Sequence, residues 1–164
     1  MSRSVDTTHA PASTRSRVPV WVVAAAVVLT IVGLGISIYL SYEHATGSTS
    51  LACSDTGRIN CLKVTTSSYS RLAGIPVAYL GLAYFVVGLV VMFPALWRRG
   101  GIFTLARLGY TIAGLIMVIY LVCVELFELH TICLWCTGVH IVTFLLFAVT
   151  LIGEALREPE YVDA

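Results

Sequence analysis

Four stretches of this chain contain no Asp, Glu, Lys or Arg, and their lengths restrict the fold more than any other feature. Val18–Tyr42 has 25 such residues, Leu72–Trp97 has 26, and 25 more lie between Glu128 and Glu154. Leu108–Val124 has 17, and the apolar run Ile102–Ala106 prolongs it beyond Arg107. A helix needs about 20 apolar residues to cross the hydrocarbon core of a bilayer. Strands fit poorly, because the blocks are continuous rather than alternating and about twice as long as a barrel strand requires. The pattern predicts an all-α integral membrane protein, a bundle of four transmembrane helices spanning 19–42, 76–97, 102–124 and 132–153 within a single domain, 18–153. Composition agrees: 58% of the 164 residues are hydrophobic and 12% charged, where soluble domains carry about a quarter charged. A soluble globule and a disordered chain are excluded. The net charge of +1 leaves no basic footprint for phosphate, which excludes a nucleic-acid binder.

Orientation follows from the basic residues. With four spans, both termini and the middle connection share one side, which holds Arg3, Arg15, Arg17, Arg98, Arg99, Arg107 and Arg157. The other side holds Arg58, Lys63 and Arg71. Positive residues favour the cytoplasm, so both termini are expected inside the cytoplasmic membrane, with connections 43–75 and 125–131 outside. Residues 1–17 read as a disordered cytoplasmic tail and 154–164 as a second, acidic tail. The first apolar run exceeds a signal-peptide core and no small-residue cleavage site follows it, so it reads as a retained helix. The outer loop of 33 residues is long for a helix bundle, whose connections usually run about 2–8 residues. Function is therefore expected on the outside.

The cysteines point the same way. Cys53 and Cys61 fall in the long outer loop, while Cys133 and Cys136 form Cys-Leu-Trp-Cys at the outer mouth of the last helix. Both pairs thus meet at the oxidising face of the membrane. With Thr131 as N-cap, Cys133 lies in the first helical turn and Cys136 one turn on, their sulfurs on one face. Unpaired N–H groups and the helix dipole favour thiolate there. The loop pair, with Ser54, Asp55, Gly57 and Asn60 between its members, reads as flexible. A mobile pair beside a fixed pair suits a relay through mixed disulfides, and a lipid-soluble quinone in the bundle beside Cys136 is the natural terminal acceptor. Other readings fit parts of the pattern. Two loop cysteines taken alone suit a structural disulfide, and a lone Cys-x-x-Cys suits packing. Zinc is disfavoured because no second Cys-x-x-Cys is present, so no metal site is assigned. Cys123 reads as a small apolar core residue.

The order of these motifs resembles the vitamin K epoxide reductase family, and specifically its bacterial disulfide-forming homologues. The matching stretches are Cys53-(x7)-Cys61, the Ser/Thr run Val64–Ser70, Gly74-Ile75-Pro76-Val77-Ala78-Tyr79-Leu80-Gly81 and Cys133-Leu134-Trp135-Cys136, within residues 19–153. The resemblance implies that Cys53 meets a partner protein, that Cys61 exchanges with Cys133, and that Cys136 lies beside a quinone, menaquinone or ubiquinone. It also implies that Ser67 sits in a short half-helix of the long loop, capping the quinone pocket, with Ser70 nearby. Where the vertebrate enzyme has a tyrosine four residues after the last cysteine, this chain has His140, which argues against epoxide reduction and anticoagulant sensitivity. Some bacterial members carry a fused thioredoxin-like domain. This chain reaches Ala164 without one, so the expected partner is a separate extracytoplasmic thioredoxin-fold (DsbA-like) oxidase. DsbB enzymes, which do the same work, carry the two cysteine motifs in the reverse order.

The other polar residues have plainer readings. Ser67 by itself suits a helix cap or a solvated loop as well as a quinone hydrogen bond. His140, one turn after Cys136, could bond a quinone or make a structural bond, since a polar group at that depth needs a partner. Glu125, Glu128 and His130 read as solvated surface, and Gly33, Gly35, Gly81, Gly88, Gly109 and Gly114 as points of close helix approach. The expected function is a membrane thiol–disulfide oxidoreductase supporting disulfide-bond formation. The alternatives are a quinone-epoxide or quinone reductase using the same cysteines, and a non-enzymatic membrane protein with structural disulfides.

Overall fold

The computed structural model describes residues 15–47, 53 and 58–160. Residues 1–14, most of the inner part of the long loop and 161–164 lie outside the described residues, and the expected disorder of the N-terminal tail falls there. The chain is mostly helical. The long helices are α1 (Val20–Thr46), α3 (Val77–Val91), α5 (Ile102–Cys123) and α6 (Leu134–Ala155), with short helices α2 (Cys61–Thr66) and α4 (Pro94–Trp97). Two small antiparallel ribbons qualify the all-α expectation. Strand β1 (Arg15–Arg17) pairs with β4 (Glu158–Glu160), and β2 (Arg71–Leu72) pairs with β3 (Ile75–Pro76). The inner ends of both tails are thus ordered by backbone pairing with each other.

Three helices are long and apolar enough to cross a membrane: Val20–Thr46, Ile102–Leu129 and Leu134–Ala155. The fourth expected helix, 76–97, is divided. Pro94 lacks the N–H that a helix interior needs and disfavours helical dihedrals at the residue before it, and Phe93 accordingly stands at ψ 130°. Helix α3 therefore ends at Val91 after 15 apolar residues, and α4 restarts with Pro94 in its first turn. Trp97 Nε1 donates to the Met92 carbonyl at 3.2 Å and satisfies a group freed by the break. Helix α1 packs against both α3 and α6, and α5 against α6. Gly33 meets the Phe85 ring, and Gly114 the Tyr84 ring, so closely that a Cβ would overlap them, whereas Gly35 and Gly109 face open space. Close approach thus explains some of the glycines and not others.

Several threonines within the bundle are satisfied by their own helix. Thr30, Thr111, Thr143 and Thr150 each return a hydroxyl bond to the carbonyl four residues back, at 2.7–3.1 Å, as helices in an apolar medium require. At the end of the bundle away from the cysteines, Arg107 is buried. It donates to Glu154 at 2.8 Å and to the Leu96 carbonyl at 3.0 Å, and stacks 4.4 Å from the Trp97 ring. Arg157 holds the same carboxylate at 2.7 Å. Outward faces are apolar: Val28, Ile31, Ile116, Phe144 and Leu105 are all exposed, which is the surface a lipid-facing bundle presents.

Candidate functional site

At the opposite end the long loop folds back onto the start of α6. Residues 58–60 run beside Ile132: Ile59 forms a parallel bridge with Ile132. Asn60 N–H donates to the Ile132 carbonyl at 3.1 Å, and Ile132 N–H donates to the Arg58 carbonyl at 2.8 Å. Cys61 follows this bridge by two residues and Cys133 by one, so the two cysteines leave one short backbone ladder. Both are fully buried. Asn60 caps α2 with a side-chain bond from Lys63 N–H at 2.7 Å. Lys63 Nζ reaches across to the Leu129 carbonyl at 3.1 Å and Thr131 Oγ1 at 3.2 Å. Cys61, expected in a flexible segment, is therefore held rigidly at the first residue of α2.

Cys53 and Cys61 form a disulfide, with Cα atoms 6.0 Å apart. Cys133 and Cys136 are thiols. The start of α6 differs from the expectation that Thr131 is its N-cap. The bridge holds Ile132 extended, so the helix begins later and Cys133 itself is the N-cap, its sulfur accepting the Cys136 N–H at 3.2 Å. Hydrogen bonding from the Cys136 thiol, joined by the N–H groups of Cys136 and Trp135, holds the Cys133 thiol below its ordinary range against the opposing effect of burial. A sulfur at the N-cap receives the same N–H groups that would bind an anion.

Behind this pair lies a cavity of about 750 Å³, lined by Ser67, Ser70, Cys136, His140, Thr143 and apolar side chains of α1, α3 and α5. The structure thus brings together Cys136, Ser67, Ser70 and His140 as walls of one space. Ser67 ends α2 and Ser70 ends the 3-10 turn Ser68–Ser70 that follows. Their hydroxyls already donate to the Val64 and Ser67 carbonyls at 2.8 and 2.7 Å, leaving their oxygens as acceptors. The turn between β2 and β3 fixes how this segment re-enters the bundle. Ala73 and Gly74 both have positive φ, 50° and 83°, the geometry of a tight hairpin turn. Pro76 then precedes the first residue of α3. The Gly-x-Pro motif is thus a turn followed by a helix start.

Three buried polar atoms on its wall, Ser37 Oγ, Glu43 Oε2 and Tyr84 Oη, have no hydrogen-bond partner among the described residues, which suits a ligand with polar groups of its own. A largely apolar space with a few convergent polar groups and a thiol on its wall fits a flat, lipid-soluble ring with carbonyl oxygens.

The sequence reading missed Glu125 and misplaced Cys123. Helix α5 runs on through a wide π-helical segment, Val124–Leu129, ending at His130 in a left-handed conformation. The Glu125 carbonyl accepts the N–H groups of His130 and Thr131. Its side chain turns inward, is 6% exposed, and lines the cavity. The expected 125–131 connection is thereby shortened, and Glu125 is not solvated surface. Glu128 and His130 are exposed, and Tyr69 donates to Glu128 at 3.2 Å, an interaction that raises the Tyr69 phenol. Cys123 is exposed at the end of α5 rather than packed in the core. The signal for Glu125 was its position, directly after 17 uncharged residues, where a continuing helix carries a carboxyl inward.

The class of protein is now defined: a helical membrane protein with a disulfide, Cys53–Cys61, and a Cys133–Cys136 thiol pair at one end of the bundle, Cys136 lying on the wall of a cavity. Residues 24–151, most of the chain, match the model of the vitamin K epoxide reductase family, and the chain belongs to that family. No curated protein matches the chain significantly. Members are membrane oxidoreductases, linked in general to quinones, and family membership makes the chain a membrane oxidoreductase.

Proposed function

We propose that this chain is a four-span thiol–disulfide oxidoreductase of the cytoplasmic membrane. It reoxidises a separate extracytoplasmic thioredoxin-fold (DsbA-like) protein and passes the electrons to a quinone, menaquinone or ubiquinone. The observation that carries this reading is the ladder at Ile59 and Ile132, which sets Cys61 beside Cys133 while Cys136 opens onto the cavity.

The steps follow from the placement. A thiolate of the reduced partner attacks Cys53 and expels Cys61; the partner's second thiol then closes the partner disulfide and frees Cys53. The Cys61 thiolate attacks Cys133 in the Cys133–Cys136 disulfide and expels Cys136. Cys53 resolves the mixed disulfide by attacking Cys61, which leaves Cys53–Cys61 bonded and Cys133 and Cys136 reduced. That is the redox arrangement of the structure. A quinone supplies a two-electron acceptor that dissolves in lipid. Ser67, Ser70 and His140 line the space that would hold it, the two serines able to donate to its oxygens once their hydroxyls turn from the Val64 and Ser67 carbonyls, and Cys136 is the thiol on the cavity wall. Buried Cys133 follows the same backbone ladder as Cys61, and this division of labour keeps the partner away from the apolar site.

The test is oxidation of a reduced thioredoxin-fold protein by the purified chain with a short-chain quinone. The wild type is expected to oxidise it catalytically. Cys136→Ala is expected to stop quinone reduction, and its Cys133 thiolate, attacking Cys61 in the Cys53–Cys61 disulfide and expelling Cys53, is expected to give a Cys61–Cys133 bond detectable by mass spectrometry. Wild-type turnover in Cys136→Ala would overturn the assignment.

A further inference from the structure

Glu125 is a buried carboxyl that the relay above does not use. Three observations bear on it. Its side chain is 6% exposed and lies on the wall of the cavity that also holds Cys136. Its backbone carbonyl takes the Thr131 N–H at 3.1 Å, two residues before Cys133. The wide π-helical segment Val124–Leu129 carries it, and such segments recur at functional sites. A carboxyl tied by its backbone two residues short of one redox cysteine and sharing a low-dielectric space with the other is electrostatically coupled to the pair. Two anions cannot share such a space cheaply. Glu43 and His44 on α1, Arg71 on β2 and His140 on α6 line the same cavity. Lys63 stands against the Leu129 carbonyl at 3.1 Å.

We propose that Glu125 is the proton carrier between the Cys133–Cys136 pair and the quinone site, alternating between carboxylate and carboxylic acid as the pair alternates between disulfide and dithiol. The inference deepens the quinone-reductase reading and rests on it. With the pair oxidised, Glu125 is a carboxylate. When Cys133 and Cys136 are reduced, one of the two protons gained resides on Glu125, Cys133 carries the negative charge as thiolate at the N-cap, and Cys136 keeps the second proton as the S–H that donates to it. In the oxidation that follows, the Cys136 S–H bond breaks and the Cys133–Cys136 bond forms. Two electrons leave the sulfurs for a quinone, and the two protons, one from Cys136 and one from Glu125, go to its two oxygens. Glu125 returns to carboxylate, and the products are the disulfide and a hydroquinone. Charge and atoms balance with no further reactant.

The experiment is infrared difference spectroscopy on the full-length purified protein, dithiol minus disulfide, without quinone. It is paired with single-turnover oxidation of the dithiol form by a short-chain menaquinone. The wild type is expected to show a protonated-carboxyl band in the dithiol form that shifts in D2O. Glu125→Gln, which keeps the shape and polarity of the side chain, is expected to lose the band and to slow the turnover by about a hundredfold. Glu125→Asp is expected to keep a displaced band and to restore most of the rate, and Glu43→Gln to leave the band in place. A band that survives in Glu125→Gln, or disappears in Glu43→Gln, would overturn the proposal. So would slow turnover in Glu125→Gln with no carboxyl band in the wild type, which would assign Glu125 a purely structural part. A wild-type band that behaves as expected in a protein unable to reduce menaquinone or ubiquinone would instead overturn the quinone reading, together with the delivery half of this proposal.

Discussion

The sulfur of Cys133 occupies a position usually held by a serine or aspartate oxygen, the N-cap of a helix. Its thiolate is favoured chiefly because the Cys136 thiol donates to it, with backbone N–H groups adding to the effect. The sign of the consequence can be worked out. A lowered value keeps thiolate present at a lower pH than for an ordinary cysteine, and removing the Cys136 side chain takes away the largest favourable interaction. In reduced protein, the pH profile of Cys133 alkylation in Cys136→Ala is therefore expected to move to higher pH than in the wild type. The measurement is alkylation followed by mass spectrometry across pH. An unmoved profile would mean that the backbone N–H groups alone set the reactivity. Asn60 acts at the same scale. Its side chain takes the Lys63 N–H at the start of α2, so Asn60→Ala is expected to cost about 1 kcal/mol and to loosen Cys61, read as faster reduction of the Cys53–Cys61 bond by a small thiol.

Among the elements, the helix contacts that enclose the cavity depend on absent side chains. Gly114 admits the Tyr84 ring and Gly33 the Phe85 ring, which brings α3 against α5 and α1. A leucine at Gly114 is expected to destabilise the bundle by about 1–3 kcal/mol through overpacking, measured as a lower midpoint of thermal unfolding in detergent. The same change at Gly109, which faces open space, is expected to leave the midpoint within about 0.5 kcal/mol of wild type. The contrast is informative because the sequence treats the two glycines alike. The break between α3 and α4 is also an element-scale feature. It was readable in Pro94, whose consequences for Phe93 are local, although the apolar run continues past it without interruption.

Across the whole molecule, chemistry and charge are placed at opposite ends. The cysteines, α2 and the short ribbon of β2 and β3 occupy one end, and Arg107, Glu154 and Arg157 the other. Arg107 is 1% exposed and its guanidinium is shared between Glu154 and the Leu96 carbonyl. Removing one partner of a buried pair strands the other charge, so Glu154→Gln is expected to cost about 3–5 kcal/mol, and the double change Arg107→Met with Glu154→Leu less than either single change. A double-mutant cycle on unfolding free energy tests this. The proposed orientation is tested separately, by labelling single cysteines placed at Ser68 and Ala95 with a membrane-impermeant reagent in intact cells. Labelling is expected at 68 and not at 95, and the reverse result would invert the topology.

Much of this protein was settled by local information. Lengths of uncharged sequence fix which segments can sit in lipid, because each charge excluded from a span is worth several kcal/mol wherever the span packs. Motif order and spacing singled out Cys53, Cys61, Cys133 and Cys136; the resemblance they carry led to Ser67 and Ser70, and helical spacing from Cys136 led to His140. What only the tertiary structure decided depends on contacts between distant segments. The ladder of residues 58–60 on Ile132 fixes Cys61 and moves the start of α6 to Cys133. Continuation of α5 through a wide turn buries Glu125 and leaves Cys123 exposed. Direction around a helix axis is set by what the helix packs against, and a run of uniformly apolar residues carries no periodic signal from which that direction can be read.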